Sequence, residues 1–434
     1  MIDKVKQKVN SGELFRVIFT SIPVEYEMNQ LKSNNIEETE GWALRVIHDN
    51  KIGFSSSTSK NQIDGMIDKA LEVVQFGQVA MFDFPDKITN DNKQEIELYD
   101  ESVQDKSVSD MIKTGNEIIK RTLAINADLR CDAEISKQEG LIQYANTKGA
   151  SFSYKKTSFS HSVMLQDTKE NDMMMLMDSL QWGKDGLSLE PLWERLERNI
   201  KWSEKIVNIE SDSMPVIFTP KALLVLLLPF ISGLNGRIVN KKISPLLDKK
   251  DQLICNPLFS MYSDGTIDYA NGSAPYDDEG IAMQRFPFIE KGILKNYYYD
   301  LQNAAEAGVK PTGNGIRHGF HSSPSPGVSN LIIPEGETSF DEMIKDIKEG
   351  IIVDQVLGLG QGNVLSGAFS NNVQLGFKIK DGKVVGRIKN VMIAGNAFEV
   401  LKDIAAIGDE ARWVSGQYYF PHIYVKSLSV STKQ

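Results

Sequence analysis

The run from Ala222 to Ile231 is ten residues long and apolar nearly all round a helical wheel. A helix without a polar face cannot lie on a surface, so the chain must build other layers around it. Thr219 and Pro220 precede it as an N-cap and a first helical residue, where the missing N–H of proline costs nothing. Pro229 is expected to bend or end the helix. Just upstream, Val216-Ile217-Phe218 reads as a buried strand.

The 434 residues amount to about three structural units at ~150 residues each. Residues 1–84 read as an N-terminal α+β unit. They hold a hairpin, Ala43 to His48 and Ile52 to Ser56 around Asp49-Asn50-Lys51, and a helix with Ile63, Ile67, Ala70, Leu71 and Val74 on one face. Residues 85–210 read as a central β meander with helices. One of these is capped by Ser107 and Asp110, and another runs from Pro191 to Glu204. The polar stretch 78–100 is the expected first boundary, and 205–213 the second. Residues 211–434 read as a larger antiparallel β assembly with a few helices, two of them capped by Thr338 with Asp341 and by Asn396 with Glu399. Asp381-Gly382 fits the type I′ turn of a hairpin. The fold class expected is therefore α+β.

Charge narrows the function. Lys and Arg total 48 against 58 Asp and Glu, a net charge of −10, which repels a phosphate backbone and argues against nucleic acid as a partner. Cys131 and Cys255 form no CxxC pair, as in a reducing compartment. The start, Met1 to Lys8, lacks the apolar core of a signal peptide, and Ala222–Ile231 is about half a bilayer span. The expectation is a cytoplasmic protein with no membrane partner.

Residues able to carry chemistry are few. Gly358-Leu359-Gly360-Gln361-Gly362 follows a strand, but no helix comes next to hold a phosphate, so a packing loop is the better reading. His318 and His321 are the only closely spaced histidines of five, and without rigid neighbours they read as loop residues. Tyr276-Asp277-Asp278-Glu279-Gly280 could supply an acid/base pair or hard-cation ligands, yet three acids before a glycine more often form a solvated turn. The Met173-Met174-Met175 run favours packing over ligation.

Several segments in a common order resemble the TldD/PmbA family, also labelled modulators of DNA gyrase. They are Gly41-Trp42-Ala43-Leu44-Arg45-Val46, Gly53-Phe54-Ser55-Ser56, Asp264-Gly265-Thr266, Tyr276 to Gly280, Ile289-Glu290-Lys291-Gly292-Ile293-Leu294, Thr312-Gly313-Asn314 and Ala394-Gly395-Asn396. The resemblance implies a two-part protease. Its TldD-type subunit carries a His-Glu-x-x-x-His helix and a distant cysteine that hold a metal, with zinc expected, and its PmbA (TldE) type subunit lacks them. Gly233-Leu234-Asn235-Gly236 matches the segment just after that motif, which places Leu227, Leu228 and Ser232 at the motif positions. The cysteine position falls near Arg412, a few residues before Gly416-Gln417. None of the four can serve as a zinc ligand or base.

The chain is accordingly expected to be a non-catalytic PmbA/TldE-like subunit with no cofactor of its own. Its partner would be a zinc-bearing TldD-type subunit, or a second copy in a dimer, and the substrate an unstructured peptide. Ser329-Asn330-Leu331-Ile332-Ile333 is the candidate strand edge for that peptide. Two other readings stand beside this one. The first is an autonomous metallopeptidase with a relocated site at His318, His321 and Glu279. The second is a peptide-binding homodimer without protease activity. Whether this chain is itself an enzyme stays open at this point.

Overall fold

Alternation of buried and exposed side chains along long strands organises the first half of the protein. The computed structural model describes residues 2–9, 11–88, 95–170 and 172–432. Seven strands form one antiparallel sheet: Ser11–Glu27, Gln30–Ser33, Glu37–His48, Lys51–Ser57, Arg130–Asn146, Ser151–Lys169 and Asp172–Trp182. Asp49 and Asn50 both have positive φ, as a two-residue type I′ hairpin requires. Ser11–Glu27 pairs with Arg130–Asn146 from Glu13↔Asn146 to Tyr26↔Ala133, so the expected first and second units share this sheet. The helix Ile63–Val73 covers Trp42, Leu44 and Val46 at one end. The helices Val108–Ile125 and Glu190–Ser203 cover Val24, Ile135, Val163 and Leu176 at the other.

The irregular stretch expected to separate units is anchored rather than loose. Phe84 is buried, and the Gln302 side chain bonds both the Val79 carbonyl and the Met81 N–H. Residues 89–94 of that stretch lie outside the described residues.

The second half is built on a mixed eleven-stranded sheet. Asp212–Phe218 lies parallel to Glu349–Val356 and antiparallel to Tyr418–Thr432. Through Ala368–Lys380 and Val391–Asn396 the path returns to Tyr418–Thr432 and closes on itself. The two parallel pairings, this one and Asn330–Ile332 with Tyr418–Thr432, depart from the antiparallel expectation. They arise because both strands of each pair are reached through long connections rather than hairpins.

The apolar helix is Leu224–Leu234 and sits in the core as expected, although its ends differ. Thr219 to Leu223 form turns before it, with Ala222 N–H donating to the Thr219 carbonyl at 2.9 Å. Pro229 lies inside the helix and does not end it, since Phe230, Gly233 and Leu234 continue the buried surface beyond. The cap expected at Thr338 is Ser339 with Glu342, one residue on, and Gly350 belongs to the following strand. Asn396 does cap a helix, but that helix is only Ala397–Val400, and Gly408 lies in the strand Ile404–Val414. No helix among the described residues is long and apolar enough to cross a membrane.

Alternation in Asp212–Phe218 makes this strand a wall between two cores. Val216 and Phe218 face the helix Leu224–Leu234, while Ile217 faces the core shared with the N-terminal sheet. Phe218 is fully buried, so Phe218→Ala removes its contacts and leaves a cavity among them. The expected loss is roughly 3–5 kcal/mol in urea unfolding, with the midpoint lowered and the slope unchanged.

Candidate functional site

Two clusters of charge lie where the halves of the molecule meet. The first grows from a cross-strand pair: Glu13 and Arg45 stand opposite each other on Ser11–Glu27 and Glu37–His48. Arg45 Nε lies 2.8 Å from Glu13 Oε1, and Arg45 Nη1 lies 2.8 Å from Glu279 Oε1 of the C-terminal half. Arg317 returns the contact, with Nη2 at 2.6 Å from Glu13 Oε1. Glu279 Oε2 accepts the Leu301 N–H at 2.7 Å. Phe82 and Phe84 place their rings 4.8 and 5.2 Å from the Arg45 guanidinium.

This arrangement corrects the reading of Tyr276–Gly280 as a solvated turn. Asp277 and Glu279 are buried. Asp277 accepts the N–H groups of Glu279, Ile281 and Gly315, and Asp278 accepts that of Arg317. These acids organise the backbone of the junction instead of facing water. Burial pushes the Glu279 carboxyl up to about 7, with Arg45 pulling the other way and Asp300 and Glu13 adding to the rise. Burial, together with Glu279, pushes Asp277 up as well.

The second cluster holds Arg412, on the strand Ile404–Val414. Its Nη1 donates to Asp178 Oδ1 at 3.3 Å, and Arg195 grips the same carboxylate with Nε at 2.8 Å and Nη2 at 3.1 Å. Burial alone would push Asp178 up. Arg412, Lys221 and Arg195 outweigh it and hold the carboxyl well below the usual range. Leu227 is fully buried in the C-terminal core, while Leu228 and Ser232 are half-buried on the same helix.

The relocated metal site does not assemble. His318 and His321 are exposed, whereas Glu279 is buried and committed to Arg45 and the Leu301 N–H. Among the described residues no group of three or more His, Cys, Asp or Glu is placed to hold a metal ion. The proposed peptide edge is likewise corrected. Asn330–Ile332 is an interior strand, hydrogen-bonded to Met261–Asp264 on one side and to Tyr418–Thr432 on the other. Ser329, Asn330, Leu331 and Ile333 are buried, which is what an apolar run between two neighbours becomes. Gly358, Gly360 and Gly362 all have positive φ, and no helix of four or more residues follows them before the strand Ala368–Lys380.

Residues 211–432 match the family described as PmbA/TldA metallopeptidase C-terminal domain, and residues 12–74 match its domain 1. The chain belongs to the PmbA/TldD family. It is thus a metallopeptidase-related protein. A metalloprotease PmbA homolog from Buchnera aphidicola (subspecies Acyrthosiphon pisum) is 23% identical over 94% of this chain and 90% of its own length. A metalloprotease TldD homolog from the same organism is 35% identical over 42% of this chain, a match that spans only 38% of that relative. The TldE structure from Thermococcus kodakarensis superposes with a TM-score of 0.90 at 20% identity, covering 99% of this chain and 98% of that one.

The metal that the family resemblance implies does not fit the side chains present at the positions this resemblance assigns to the motif. Leu227 and Leu228 offer no donor atom. Arg412 brings a permanent positive charge that Asp178 and Arg195 hold in place. The sequence reading missed Glu13 and Arg317. Its available signal was Arg45, a charge set inside the apolar stretch Ala43-Leu44-Arg45-Val46-Ile47.

The raised Glu279 carboxyl links stability to pH. The folded state holds its proton more tightly than the unfolded state, so its contribution is fully present below about 4.5 and is lost as pH rises toward 7. Glu279→Gln should flatten this slope, by on the order of 2 kcal/mol between pH 5 and 7.5. Urea midpoints of both proteins across that range give the difference. Parallel curves would remove Glu279 as the source.

Proposed function

We propose that this chain is the non-catalytic, PmbA/TldE-type subunit of a cytoplasmic metalloprotease that cleaves unstructured peptides. The metal, zinc in this reading, belongs to a TldD-type partner. The observation that supports the proposal is the Arg412 guanidinium pinned by Asp178, near the position that the family resemblance assigns to a metal-binding cysteine. A cation there repels a second cation and supplies no lone pair. Leu227, which the resemblance sets at a histidine position, is buried in the C-terminal core and carries no donor atom.

The relatives support the same assignment. The PmbA homolog aligns with this chain along nearly its whole length, and the TldD homolog along less than half. Surface charge fits a protein-directed role better than the gyrase-modulator label, because a net charge of −10 disfavours DNA contact. A two-chain division of labour also explains why a metallopeptidase-related fold would keep its scaffold without its ligand set: this chain would close part of the substrate cavity and leave the chemistry to its partner.

Zinc stoichiometry tests the proposal directly. The purified chain, dialysed to equilibrium against zinc and measured by elemental analysis, should hold close to zero zinc per chain and cleave no peptide. Peptidase activity should appear on mixing with a zinc-loaded TldD-type chain, together with a heteromeric species by native mass spectrometry. One zinc per lone chain with peptidase activity would overturn the reading. A stable homodimer that ignores the TldD-type chain would favour a peptide-binding protein instead.

A further inference from the structure

The cluster around Asp178 carries more positive charge than its carboxylates can balance. Arg195 and Arg198 lie three residues apart on Glu190–Ser203 and so project from one side of the helix. Arg195 and Arg412 share Asp178. Lys221 pairs with Asp354, its Nζ 2.7 Å from Oδ2, and also donates to the Met177 carbonyl. Arg198 has neither carboxylate as a hydrogen-bond partner, and its buried Nε has no partner at all. Its guanidinium lies instead 5.0 Å from the Trp202 ring and 5.1 Å from the Phe340 ring.

Four cations therefore surround two carboxylates. His422, stacked on Phe340 at 4.1 Å, adds no charge, because burial and the three arginines push its imidazole down to about 3. The nearby acids Asp409 and Glu410 are exposed to solvent. In a chain of net charge −10, two unmatched positive charges at a partly dry junction are a local inversion. Unpaired charge removed from water is costly, and a guanidinium cannot shed its proton to escape that cost. The rings of Trp202 and Phe340 lie against the Arg198 guanidinium, and its Nε–H is left without an acceptor. A planar fork of that kind fits an anion with two oxygens.

We propose that Arg198, with Arg412, Arg195 and Lys221 around it, forms a binding site for an oxyanion, a carboxylate or a phosphate group, at the junction of the two sheets. The site does not rest on the protease-partner reading; it follows from the charges and their packing. Arg198 supplies the fork, while the other three cations, already paired, set the local potential. Binding is accordingly expected to weaken as salt rises.

Calorimetric titration in an oxyanion-free buffer tests the site with two probes, inorganic phosphate and N-acetyl-dialanine. The C-terminal amide of the same dipeptide serves as control. At least one probe should bind saturably, the amide should not, and Arg198→Gln should weaken binding tenfold or more. Phosphate binding alone assigns the site to a phosphate group, and dipeptide binding alone to a peptide carboxylate. Because Arg198 has no ion pair to lose, R198Q should unfold close to the wild-type temperature without ligand. If it does not fold, Arg198→Lys keeps the charge, removes the fork, and should also bind more weakly. Absence of saturable binding by both probes, or unchanged affinity in the folded variant, would overturn the proposal.

Discussion

Arg45 holds the two halves of the protein together by touching a glutamate from each. Its contacts to Glu13 and Glu279, answered by Arg317 on Glu13, cross the boundary between the N-terminal and C-terminal sheets in both directions. Burying four charges gains little net energy, because desolvation offsets most of the attraction. Leaving one of them without its partner is far more costly, about 3–5 kcal/mol for a broken buried pair. The network therefore selects one docking geometry and makes displaced ones expensive. Gly315 permits the fit: a side chain there would put its Cβ 2.3 Å from Glu279 Oε2, so only a glycine lets the backbone pass the carboxylate.

Local chemistry explains which parts of this architecture were readable from the chain. Features decided within a few residues were legible: the Asp49-Asn50 and Asp381-Gly382 turns with their positive φ, the Ser107 cap, and the helix Ile63–Val73 with its buried stripe. Features decided by distant partners were not. Asn330–Ile332 looked like an edge because its neighbours in sequence are Pro, Gly and Ser. Its neighbours in space are two strands, one of them reached from nearly 90 residues away. Pro229 reads as a bend or an end because proline breaks an isolated helix, yet here the surrounding core holds the chain helical past it.

The same distinction governs the candidate site. Three acids before a glycine suit a solvated turn in isolation, and nothing within ten residues of Glu279 hints at Arg45. The pairing exists because a hairpin from one end of the chain docks against a loop some 230 residues later. Arg412 was placed through a family pattern, but its contact with Asp178 depends on how the sheets meet, which no spacing encodes. Both cysteines are buried, and burial pushes Cys131 up to about 11, so both are poorly suited to act as thiolates.

The two junction clusters have opposite signs, and that difference has a chemical consequence. Around Arg45 the acids prevail: Glu13, Asp277, Asp278, Glu279 and Asp300 face Arg45, Arg317 and Lys156. Such an excess can discharge itself, because a buried carboxyl takes up a proton once its affinity rises toward neutrality, as that of Glu279 does. Around Asp178 the cations prevail, and most of them are guanidinium groups. Burial lowers their proton affinity, but from so high a starting point that they stay charged at any pH the fold survives. Protons can balance the first cluster from within. The second can be balanced only by water at its open side or by an anion from outside, which is why the unpaired fork of Arg198 is the group at this junction with chemistry still to perform.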